Sequence, residues 1–93
     1  MEEKEEQLVA AGNQAEVLLG TEVFTGTINA MVDGAFQAFA NSKPEEAIVR
    51  EQTYHHYRAL VDIVNTLQQR VHIKNEIEAK YAEADSDNHK EAE

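Results

Sequence analysis

Tyr54-His55-His56-Tyr57 sets two imidazoles and two phenols side by side, the densest cluster of chemically capable side chains in the chain. Imidazole is a metal ligand and carries protons near neutral pH. On a helix, neighbouring residues point about 100° apart, so His55 and His56 cannot grip one ion together. The pairs that share a helix face are Glu51 with His55 and His72 with Glu76. Either supplies two ligands where a zinc site takes three or four. There is no HExxH or di-iron ExxH pair, no nucleophile elbow, no phosphate-cradling glycine loop and no zinc spacing. The absence of Cys removes disulfides and thiolate ligands as well. The residues therefore predict no catalytic site, no metal and no cofactor, and a chain that is not an enzyme. His55 and His72 read as surface residues and His56 as a seam residue at a helix interface, where association would respond to pH near its ordinary pKa of about 6.5.

The elements that carry these residues are helical. One Pro and four Gly in 93 residues leave few turns, and Ala, Glu and Gln are abundant. The fold class expected is all-α: an antiparallel helical hairpin with a long second arm plus an N-terminal helix, assembled as an oligomer. Helices are predicted at about 3–19, 22–40 and 43–82, in one domain over 1–82, followed by a disordered acidic tail over 83–93. Leu8, Ala11, Ala15, Leu18 and Leu19 give the first helix its apolar face. Gly20 suits its C-terminal cap and Thr21 the next N-cap. Phe24, Ile28, Met31, Ala35 and Phe39 form the stripe of the second. Ser42-Lys43-Pro44-Glu45 reads as a capping box with Pro in the first turn of the third.

The third helix shows two overlapping seams. Tyr57, Leu60, Val64, Leu67 and Val71 are apolar and read as the main core. Thr53, His56, Leu60, Ile63, Leu67, Arg70, Lys74, Ile77 and Tyr81 keep 3–4 spacing but carry charge, so this is not a clean coiled coil. At 1.5 Å per residue the second helix covers about 30 Å and the third about 60 Å. The segment from Leu67 to Tyr81 then needs either the first helix folded back along it or another subunit. Gly26, Ala30, Gly34 and Ala38 recur every four residues along one line, which allows close approach of another helix; Gly26 and Gly34 each cost about 1 kcal/mol of helix propensity. These four, with Val61, Ile73, Ile77 and Arg58, are the interface candidates. Arg50 with Glu51 and Arg58 with Asp62 read as local helix pairs.

Charge narrows the partners. The net charge is −10, yet residues 47–74 hold Arg50, Arg58, Arg70 and Lys74 against Glu51 and Asp62. The acid lies toward the ends. No basic stripe exists, so direct nucleic-acid binding is disfavoured. Val23 to Ala40, the least polar stretch, contains Thr25, Thr27, Asn29, Asp33 and Gln37 and is too polar to span a membrane. Glu2-Glu3-Lys4-Glu5-Glu6 is the reverse of a signal-peptide start, which predicts a soluble cytoplasmic protein.

Ala15-Glu16-Val17-Leu18-Leu19, a short break and Val23-Phe24 resemble small helical proteins encoded in tailed-bacteriophage genomes. So do Ser42-Lys43-Pro44-Glu45-Glu46, Arg50-Glu51, Tyr54, Tyr57-Arg58-Ala59-Leu60 and Leu67-Gln68. The resemblance spans roughly residues 10–78. It implies a phage origin and a role in virion assembly or packaging, in the host cytoplasm or the virion, and supplies no site residues. The expected partners are further copies of the chain and a capsid, portal or terminase protein, or else a host protein. Two other functions fit less closely: a small-terminase-like DNA-packaging factor and a small acidic inhibitor of a host enzyme or defence complex.

Overall fold

The computed structural model describes the backbone of residues 1–92 and the side chains of residues 1–85. Its elements are three helices, α1 (Glu3–Leu19), α2 (Glu22–Ala40) and α3 (Ala47–Ala92). The acidic tail expected over 83–93 falls mainly beyond Asp85 and so lies outside the described side chains; residues 83–85 continue α3.

The breaks are made by backbone and short polar groups. Glu3, Glu5 and Glu6 occupy the first turn of α1, where carboxylates favour the positive end of the helix dipole. The Thr21 N–H returns to the Leu18 carbonyl at 3.1 Å and closes α1. No described glycine has positive φ, so Gly20 ends the helix without the left-handed conformation of a glycine cap. Thr21 stands at the N-cap of α2 with extended backbone, and its carbonyl accepts the Thr25 N–H at 3.0 Å.

The start of α3 differs from the capping box expected at Ser42. The Ser42 hydroxyl donates to the Phe39 carbonyl at 2.6 Å, so it finishes α2 and is not free to cap α3. The reach-back belongs to Glu46, whose carboxylate accepts the Lys43 N–H at 2.9 Å. A turn covers Pro44 and Glu45, and the helix begins at Ala47. Arg50 is likewise not paired with Glu51. Its guanidinium donates to the carbonyls of Lys43 and Pro44, the latter at 3.0 Å, and so holds this turn against the first coil of α3.

The helices assort into two compact units, Met1–Val17 with Leu67–Glu93 and Leu18–Thr66. In the first, Gly12 and Ala15 of α1 and Leu67 and Lys74 of α3 are buried. Leu8, Ala11, Val71, Ile73, Ile77 and Tyr81 are half-buried around them. Glu5 meets Lys80 and Tyr81 while Glu16 meets Lys74, so α1 runs opposite to this part of α3. At Gly12 the two backbones nearly touch: a Cβ there would lie 2.8 Å from the Arg70 carbonyl oxygen and closer still to Lys74 Cβ.

In the second unit the buried apolar residues are Ala35 and Leu60. Phe24, Ile28, Val32, Thr53, Val61 and Val64 are half-buried. Three residues expected in the core, Met31, Phe39 and Tyr57, are exposed. The inward line of α2 runs Phe24, Ile28, Val32, Ala35, which places Val32 where Met31 was expected and turns Met31 and Phe39 outward. The contact centres on Ala35, whose side chain is a single methyl. The large rings flanking it stand at the rim.

Candidate interaction site

Ala35, Phe36 and Phe39 of α2 and Thr53, Tyr54 and Tyr57 of α3 line a groove of ≈ 200 Å³ in the second unit. Its four aromatic rings are all exposed. The Tyr54 ring also meets the His55 ring edge-on, centroids 5.8 Å apart, which settles His55 beside the groove. A wider, more open depression of ≈ 370 Å³ lies between Met31, Gly34, Ala35 and Ala38 and the α3 residues Gln52, Thr53 and His56. His56 is exposed there, at the edge of the helix contact.

The remaining candidates are distributed over both units. Gly26, Ala30, Gly34 and Ala38 are exposed, and a Cβ built on Gly26 or Gly34 meets nothing within 4 Å, so no part of the described chain packs closely on them. Gly34 and Ala38 line the open depression. Val61 is half-buried in the second unit; Ile73 and Ile77 are half-buried in the first. Arg58 is exposed and pairs with Asp62 at 3.2 Å. The two carboxylate–imidazole pairs are both formed on exposed surface, Glu51 with His55 at 3.8 Å and Glu76 with His72 at 3.1 Å. Among the described residues no group of three or more His, Asp or Glu converges on a point that could hold a metal ion.

The first unit carries a polar constellation that sequence reasoning missed. Lys74 is buried and its ammonium donates to the half-exposed Glu16 carboxylate. That contact raises the Lys74 pKa above its ordinary value, against the opposing effect of burial. Glu5 accepts from the Lys80 ammonium, from the Tyr81 hydroxyl at 2.7 Å and from the Glu2 N–H at 3.3 Å. These donors, Lys80 first, lower its pKa to about 2. The same contacts raise the pKa of Lys80 and of Tyr81, since each then donates to a carboxylate. Lys80 also lies 4.9 Å from the centre of the Tyr81 ring.

Gly12 was legible as a helix-interior glycine of the same cost as Gly26, but it belongs to no line of small residues. Phe36 had a clearer signal, a large ring one residue after Ala35 and off the apolar stripe. Among the described residues, no helix is long and apolar enough to cross a membrane. Compared with known protein families, with curated proteins and with solved structures, the chain matches none.

Proposed function

We propose that this chain is a bacteriophage structural or assembly-accessory protein that acts through helix–helix contact with other proteins, its own copies included. The observation that carries the reading is the surface of the second unit. Met31, Phe36, Phe39, Ile48, Val49, Tyr54, Tyr57 and Ile63 are exposed over a core of Ala35 and Leu60. Domains form when an apolar face is buried between layers, and two helices with so small a core offer a face for a further layer. In this reading α2 and the start of α3 make an antiparallel hairpin, with α3 as its long arm. The phage assignment rests on the resemblance of residues 10–78 to small helical phage proteins.

The test is binding of the purified chain to the purified portal, capsid and terminase proteins of one tailed phage whose genome encodes it. Saturable binding to one of them is the expected result. Absence of binding to all three would overturn the assembly role. Binding to DNA that weakens steeply with salt would move the assignment to packaging.

A further inference from the structure

We propose that the groove lined by Phe36, Phe39, Tyr54 and Tyr57 is the seat of a second copy of this chain, with Phe36 of each copy entering the groove of the other. This rests on the reading of the second unit as an interaction surface and names its occupant.

Three observations select a copy. The first is area. Phe36 is 67% exposed, Phe39 49%, Tyr54 53% and Tyr57 39%. At about 200 Å² per ring this is roughly 400 Å² of apolar surface. Homodimer interfaces are about two-thirds apolar, so the face corresponds to about 600 Å² per partner, at the low end of stable interfaces. The second is shape. A two-fold contact places the same patch on both sides, so the patch must hold both a projection and a recess for it. Phe36, the most exposed of the four rings, borders the recess. Aromatic anchors seated in pockets dominate interface energies. The third is charge. A chain of net charge −10 repels its own copies wherever its acid faces them. No carboxylate lines this groove. Arg50 is held by the carbonyls of Lys43 and Pro44, and Arg58 is matched by Asp62. A basic partner would instead be drawn to the acid-rich ends of the sequence.

The experiment is sedimentation equilibrium of the full chain across micromolar concentrations, for the unaltered protein, Phe36→Glu and Val23→Glu. Val23 is 80% exposed on the same unit but lines neither groove, so it controls for added charge. The expected result is a monomer–dimer equilibrium ending at twice 10.4 kDa. Phe36→Glu should weaken it about 30-fold or more, the level of a hot-spot residue, while Val23→Glu leaves it within a few-fold. Both side chains replaced are solvent-facing, and unchanged helical circular dichroism confirms that each variant folds. A monomer at every concentration overturns the proposal, as does an assembly that survives Phe36→Glu. A dimer lost in Phe36→Glu without affinity for virion proteins would sustain this inference and overturn the assembly role. A monomer that binds a virion protein would do the reverse.

Discussion

Within the first unit, α1 is joined to α3 from Glu5 to Glu16 by carboxylates that meet Lys80, Tyr81 and Lys74, with backbone contact at Gly12 between them. The ion pairs of the second unit, Glu51 with His55 and Arg58 with Asp62, are local ones along α3, and Ala35 and Leu60 make its core. The difference teaches where specificity and where adhesion reside. Charged pairs across a helix contact add little net stability but penalise a shifted register, because a slip leaves Lys74 buried without Glu16. An apolar contact around one alanine fixes much less and leaves rings exposed at its edges. The unit rich in polar links fixes its own register, and the sparsely linked one presents aromatic surface.

The sharpest way to break this comparison is Leu60→Ala. Loss of the one large buried side chain of the second unit should cost about 3 kcal/mol, read by urea denaturation. Hydrogen exchange should show α2 losing protection before α1 does. Equal loss in both helices would mean that the units do not differ in this way. Gly12→Ala comes next. Its methyl would collide with the Arg70 carbonyl and with Lys74 at Cβ, neither of which is the flexible end of a side chain. We expect about 2 kcal/mol of destabilisation, with exchange accelerated in α1 and not in α2. An unaffected α1 would show that the helices can separate there at no cost.

Gly26→Ala and Gly34→Ala should act in the opposite direction. Open space surrounds both, so removal of glycine flexibility should stabilise α2 by up to about 1 kcal/mol each, seen as a higher Tm. A lower Tm for either would reveal a neighbour seated on the small-residue line. The smallest effect is with acid. Glu5 is held at about 2 against an ordinary 4.5, so its contribution is present in full above pH 4.5 and is lost as pH falls toward 2. Exchange in α1 should accelerate over that range in the unaltered chain and change less in Glu5→Gln. Identical profiles would remove Glu5 from the account. At the alkaline end the sign reverses: the contributions of Lys80 and Tyr81, whose pKa values are raised, are present at neutral pH and lost above their ordinary values of 10.5 and 10.0.

The all-helical character is written in local signals: few turn residues, apolar positions at helical spacing, and breaks at Gly20-Thr21 and near Pro44. What those signals do not carry is which of two adjacent lines faces inward. Val32 and Met31 are equally good stripe residues, and the choice is made by packing on α3. Likewise, of the residues at 3–4 spacing in α3, those seven apart (Thr53, Leu60, Leu67, Lys74, Tyr81) are buried or half-buried, while of those between them His56, Ile63 and Arg70 are exposed and only Ile77 is half-buried. Gly12 and Lys74 are 62 positions apart, so no local pattern announces that one exists to admit the other. Ser42 shows a subtler ambiguity: its hydroxyl can serve the helix before it or the helix after it, and the spacing to Glu45 favours the following helix although the bond goes to the preceding one.

The three tyrosines give the molecule a built-in optical asymmetry. There is no Trp, so ultraviolet emission comes from tyrosine alone. Tyr81 donates its hydroxyl to a carboxylate, an arrangement that quenches the phenol, whereas Tyr54 and Tyr57 line the exposed groove. The intrinsic fluorescence of the unlabelled chain is therefore weighted toward the groove, and whatever settles there announces itself in the light the protein already emits.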